Sequence, residues 1–199
     1  MKLVLASGNA SKLAEIRQLL PESFDLVSLK DLGFEGEIAE TEATFEGNAL
    51  LKARFISKKY GVNVIADDSG LEVEALNGKP GVYSARYSGD GATPAGNNAR
   101  LLTDMAGKKN RRARFVAVLA LILDGKEHLF RGEVTGIIAE DCLGTNGFGY
   151  DPLFIPDGYK HTFGELSSDI KQQISHRSKA MKQLQNFIAG TLPDKGAGT

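Results

Sequence analysis

Two adjacent carboxylates, Asp67 and Asp68, follow the apolar run 62–66 and precede Ser69 and Gly70. Carboxylates at the carboxyl end of a buried strand stand where α/β proteins bind ligands. One of them can hold a hard cation such as magnesium, which takes oxygen ligands and keeps several waters. Strand alternation sends neighbours to opposite faces, so Asp67 and Asp68 are expected to do different jobs. An acidic turn shaped by Ser69 and Gly70 is the competing reading, and the pair alone does not separate the two. Glu35, Glu37, Glu40, Glu42 and Glu46 gather before and at the start of a helical segment. Solvation and complementing the helix dipole explain most of them; one reaching a metal held by Asp68 is compatible with the spacing. Lys52, further along that helix, reads by itself as an exposed lysine.

A second candidate is Ser7-Gly8-Asn9-Ala10-Ser11-Lys12, between a strand and a helix. Such a junction turns backbone N–H groups and the positive helix end toward an anion. It is not a Walker A loop, whose glycine spacing is longer, and simple helix capping is the alternative. The glycine-dense stretch from Gly144 through Phe148-Gly149-Tyr150-Asp151 to Pro152 lets backbone approach a flat ligand while a ring stacks on it. Asp151 can then accept from a base or ribose. Lys171 lies one helical turn before Ser175, with His176 and Arg177 just beyond. Facing a cleft, they can read a base carbonyl or a phosphate; on a helix surface they would do neither. Arg86, in Tyr83-Ser84-Ala85-Arg86-Tyr87, is equally open.

These residues need a scaffold, and the pattern supplies one. Residues 2–6 read as a buried strand and 11–20 as a helix with Leu13, Ile16, Leu19 and Leu20 on one face. A short strand at 27–29 and an acidic loop at 31–41 follow. Thr44 caps a helix to Tyr60 that Gly61 closes; 62–66 and 71–76 read as strands on either side of the carboxylates. Pro94 opens a helix ending near Met105. A long strand, 114–123, turns at Asp124-Gly125 into a returning strand, 126–135, with another at 137–139. Residues 167–189 are helical, broken near Ser175. Together these imply an α/β fold with a mixed sheet.

Composition narrows the classes. The chain has 199 residues, 42% hydrophobic, with 24 Lys+Arg against 25 Asp+Glu. That balance argues against a broad nucleic-acid or anionic-membrane surface, though not against a concentrated one. The run 115–123 is far shorter than the roughly 20 residues a membrane span needs, and no targeting segment is visible. We therefore expect a soluble, cytoplasmic protein. Cys142, the one cysteine, excludes an intrachain disulfide and reads as a small buried hydrophobe.

In their order along the chain these motifs resemble the inosine/xanthosine triphosphate pyrophosphatase family. Asp67-Asp68-Ser69-Gly70-Leu71, Pro80 to Tyr87, Gly147 to Pro152 and Ser175-His176-Arg177 carry the resemblance. It implies a two-lobed α/β fold around a long mixed sheet, with the active-site groove between lobes, a single domain over 1–190 and a flexible tail at 191–199. It implies Mg²⁺-dependent hydrolysis of deaminated purine nucleoside triphosphates to the monophosphate and pyrophosphate, by a homodimer. Carried over by position, Ser7, Gly8, Asn9, Ala10, Ser11 and Lys12 bind the phosphates, with Lys52 and Ser69 lining that site. Asp68 is metal ligand and proton acceptor, and Glu40 a second metal ligand. Phe148, Gly149, Tyr150, Asp151, Lys171, His176 and Arg177 surround the nucleoside. Three positions depart from the family's pattern: Ser7 replaces a common threonine, and Glu42 and Asn146 replace glycines. The rival readings are a pyrophosphatase for other modified nucleotides and a nucleotide-binding regulatory module without turnover.

Overall fold

The structure, a computed structural model, describes residues 1–21 and 24–191. Its elements alternate at first: β1 (Lys2–Leu5), α1 (Ala10–Leu19), β2 (Asp25–Ser28), α2 (Phe45–Tyr60), then the long β3 (Val64–Val73). After α3 (Pro94–Asp104) come β4 (Arg112–Leu123), β5 (Lys126–Ile138), the short β6 (Phe154–Pro156), α4 (Ser168–Ile174) and α5 (His176–Thr191). The strands form one mixed sheet in the order β2-β1-β3-β4-β5-β6. β2, β1 and β3 are parallel, and the pairs from β3 to β6 antiparallel. The expected α/β architecture is therefore present.

Local chemistry explains the boundaries. Thr44 Oγ1 accepts from Gly47 N at the start of α2, and Gly61 adopts the left-handed conformation at its end. Asp124 and Gly125 both have positive φ, as a two-residue hairpin turn with the twist of its strands requires. Ser175, extended, separates α4 from α5 where the break was expected.

Alternation along β3 and β4 sorts the core. Leu3, Leu5, Ile65, Leu119 and Leu121 pack on the face covered by α1 and α5. Val4, Ala6, Val64, Ala66, Val118 and Ala120 pack on the opposite face, under α2. Further along the same strands, Leu71, Val73, Ala113 and Phe115 join a third cluster with Leu101 of α3, Phe154 of β6 and Phe163. The long strands thus run from one lobe into the other, and residues 67–70 lie at the crossing.

Several expectations are corrected. The strands at 62–66 and 71–76 are a single strand, so Asp67 to Gly70 are paired residues, registered against Leu119 to Val116 of β4, and not a turn. Glu74–Leu76 is a 3₁₀ turn. The strand at 137–139 is the end of β5, which extends the hairpin to Ile138. Cys142 is exposed, not buried. Thr191 closes α5; the rest of the tail, 192–199, lies outside the described residues. Among the described residues no helix is long and apolar enough to cross a membrane.

Candidate active site

Because residues 67–70 stay in strand geometry, their side chains alternate strictly. Asp67 points to the α1/α5 face and Asp68 to the α2 face. Gly70 points with Asp68 into space already filled: a Cβ there would lie 2.5 Å from the Gly81 carbonyl oxygen and 2.9 Å from the Phe45 ring.

Asp67 is fully buried and saturated with partners. Its Oδ1 lies 2.6 Å from Lys12 Nζ, and its Oδ2 accepts from Arg177 Nε at 2.9 Å. Ser69 Oγ donates to Oδ1 at 3.1 Å and itself accepts from Arg177. Burial alone would raise the Asp67 carboxyl, but the charges of Arg177 and Lys12 outweigh it and hold it well below the usual carboxylate range. Arg177, only 1% exposed, is also bound by Glu15 of α1. Glu15 reaches Lys171 Nζ at 2.8 Å as well, and Lys171 lies 2.7 Å from Asp151 Oδ2. The result is one chain of alternating charge, from half-buried Lys12 through Asp67, Arg177, half-buried Glu15 and Lys171 to Asp151.

Asp68 is differently placed. Its Oδ1 lies 3.5 Å from Lys52 Nζ, while its buried Oδ2 has no hydrogen-bond partner. Burial, opposed by Lys52 and reinforced by the nearby Glu40 charge, pushes its carboxyl up to about 6. Lys52 is buried and not the exposed lysine that its position alone suggested. It donates to Glu40 Oε1 at 2.5 Å and to the Asp67 carbonyl at 2.9 Å. Glu40 is held from the other side by Arg86, 3.2 Å from its Oε2. Glu40 and Asp68, 28 residues apart, therefore meet on one ammonium group.

Two adjoining hollows border these groups. One, of about 620 Å³, is lined by Ser7, Gly8, Lys12, Glu40, Lys52 and Arg86 among others. The other, of about 260 Å³, is lined by Ser69, Phe148, Asp151, Lys171, His176 and Arg177 among others. Asn9 and Ala85 line both. At the strand–helix junction Asn9 caps α1, its Oδ1 accepting from Ser11 N and Lys12 N, while Asn9 N donates to Ser7 Oγ. Those three amides, expected to face an anion, are engaged within the junction here, whereas the Lys12 ammonium, paired with Asp67, has further N–H groups to offer an acceptor.

In the smaller hollow the Phe148 ring lies 4.7 Å from Lys171 Nζ, and Phe148 N donates to Asp151 Oδ2 at 2.7 Å. Asn98 of α3 fixes the Gly149 carbonyl, and Tyr150 donates its hydroxyl proton to the Ser84 carbonyl. His176 is buried, stacked on Phe115 with ring centres 4.8 Å apart, and its Nδ1 has no partner. Burial, reinforced by Arg177 and Lys171, drives its pKa well down, so the ring is neutral. The expected residues line one or other of these two hollows except Ala10 and Asp68, and Asp68 reaches the larger one only through its contact with Lys52; no expectation included Glu15. Its signal is present: it follows Lys12 by three positions and so shares a helix face with it.

Among the described residues no cluster of three or more His, Cys, Asp and Glu side chains surrounds a cation position. Two carboxylates are available, Asp68 and Glu40. The unpartnered Asp68 Oδ2 and an all-oxygen donor pair fit a divalent cation that retains much of its water shell.

The chain is thus a mixed-sheet α/β protein with a lysine- and arginine-lined hollow adjoining one lined by an aromatic ring. More specifically, the chain belongs to the Ham1 family, whose model matches residues 3–187. It is 49% identical over 191 residues to the dITP/XTP pyrophosphatase of Flavobacterium johnsoniae, covering 96% of this chain and all of that one. The protein of the same name from Flavobacterium psychrophilum is 49% identical over 188 residues, 94% of this chain and 99% of that one. The solved structure of the Staphylococcus aureus Ham1 protein superposes with a TM-score of 0.89 at 40% identity, covering 96% of this chain and 100% of that one.

Proposed function

We propose that this protein, as one domain over residues 1–190 and as a homodimer, hydrolyses dITP, ITP and XTP to the monophosphate and pyrophosphate with Mg²⁺. The activity named for its relatives supports the reaction class. The observation that carries the site assignment is the split of Asp67 and Asp68. One carboxylate is locked into a structural ion network, while its neighbour keeps a buried oxygen without a hydrogen-bond partner, beside Lys52 of the larger hollow.

In this reading Asp68 and Glu40 hold the magnesium ion. When bound, the ion supplies positive charge to phosphoryl oxygens and lets the anionic chain approach two carboxylates. Ser7 to Lys12, Lys52 and Ser69 bind and orient the phosphates, which is most of what phosphoryl-transfer catalysis demands. Asp68 also orients the attacking water at the α-phosphorus and accepts its proton on the carboxylate. Phe148 stacks on the purine beside the Gly149–Tyr150 backbone. The ammonium of Lys171 and the Arg177 guanidinium favour a 6-oxo acceptor over the 6-amino donor of adenine, because the wrong base leaves buried donors unpaired. Neutral His176 contributes a single N–H and an apolar ring face to that pocket.

Steady-state hydrolysis across a nucleotide panel tests this. Pyrophosphate release from dITP, ITP and XTP, with ATP a poor substrate, is expected. Equal cleavage of ATP and ITP would remove the specificity, and orthophosphate as first product would remove the reaction assignment.

A further inference from the structure

Arg86 ends the 3₁₀ turn Gly81–Arg86, between the two hollows. Its NH1 lies 3.2 Å from Glu40 Oε2 and its NH2 3.4 Å from the Glu40 carbonyl oxygen. The guanidinium sits 5.1 Å from the centre of the Tyr83 ring, which fixes its direction. Arg86 lines the larger hollow together with Ser7, Gly8, Lys12 and Lys52, and is not among the residues lining the smaller, aromatic one.

The three cations of that hollow are not equivalent. Lys12 is paired with a fully buried carboxylate, and Lys52 is buried under three oxygens. Arg86 is 43% exposed at its side chain and gives Glu40 only part of its donor fork. A guanidinium held by one carboxylate and lining an open hollow of about 620 Å³ can exchange carboxylate oxygens for phosphoryl oxygens at little cost, since the fork matches both.

We propose that Arg86 is a further substrate-binding residue that grips the polyphosphate chain of the nucleotide through its guanidinium, exchanging Glu40 oxygens for phosphoryl oxygens. This rests on the pyrophosphatase reading. Because Arg86 stands outside the nucleoside pocket, it distinguishes the triphosphate substrate from the monophosphate product. The product loses that contact when pyrophosphate leaves, which favours its release.

Calorimetric titration with magnesium tripolyphosphate and, separately, with dIMP tests the assignment on wild type, Arg86→Met and Arg86→Lys. Arg86→Met is expected to weaken tripolyphosphate binding by about tenfold or more, the size of a charge-assisted contact. Arg86→Lys should recover part of the loss, because it keeps the charge without the fork. The dIMP affinity should not move, whereas damage to the fold would lower both. Unchanged tripolyphosphate affinity in Arg86→Met, or an equal loss for dIMP, overturns the proposal. If Arg86→Met does not fold, Arg86→Lys decides, and tripolyphosphate affinity equal to wild type overturns it. A wild type that binds tripolyphosphate through Arg86 yet releases no pyrophosphate from dITP would refute the reaction while leaving this contact standing.

Discussion

Replacing Asp68 by Asn should make the metal-free protein more stable at neutral pH while abolishing its turnover. The carboxyl titrates near 6 instead of at its ordinary 3.8. At about 1.4 kcal/mol per pH unit, ionising it within the folded protein opposes folding by about 3 kcal/mol. An asparagine of nearly the same volume removes that charge but leaves a buried amide beside Lys52, costing about 1 kcal/mol. The expected net gain is about 1–2 kcal/mol. Between pH 4 and 6 the native state binds the extra proton, so wild-type stability from this group falls as pH rises through that window and stays low above it. The variant should therefore lie about 1 kcal/mol below wild type near pH 4, overtake it as pH rises toward 6 and keep a constant advantage to pH 8. Urea unfolding in EDTA at pH 4.5, 6 and 8 measures it. An Asp68→Asn protein no more stable than wild type at pH 8, or a gap independent of pH, would refute the reasoning.

Asp67→Asn should do the opposite: it removes the charge shared by buried Arg177 and half-buried Lys12, and a loss of about 3 kcal/mol or more is expected in the same unfolding assay. Gly70→Ala forces a methyl against the Gly81 carbonyl and the Phe45 ring, so an overpacking cost of about 1–3 kcal/mol should appear as a lower urea midpoint. Phe148→Ala should raise KM for dITP by about tenfold, the worth of base–aromatic stacking, with magnesium tripolyphosphate affinity unchanged in calorimetry. Removing magnesium with EDTA should stop pyrophosphate release, and restoring it should raise the wild-type melting temperature but not that of Asp68→Asn.

Helix signals were legible because they are local. Thr44 and Gly61 bound α2, and the extended Ser175 divides α4 from α5, as their neighbours in sequence imply. The glycine in Asp67-Asp68-Ser69-Gly70 misled, reading as a turn. Its actual role is to let the 3₁₀ turn pack against the middle of β3, a demand made by a segment more than ten residues away.

What the sequence determined is the division of labour between the two aspartates. Adjacent residues on a strand face opposite sides whatever packs there, so Asp67 and Asp68 had to meet different partners. Which partners they met was decided only by the tertiary structure. Arg177 lies 110 positions from Asp67, and Glu15 lies 156 from Lys171. No local period connects such residues; only the order of strands in the sheet and the helices laid over its two faces bring them together. Burial, too, was set there: Lys52 became an interior cation and Cys142 a surface thiol because the fold, not their own chemistry, placed them.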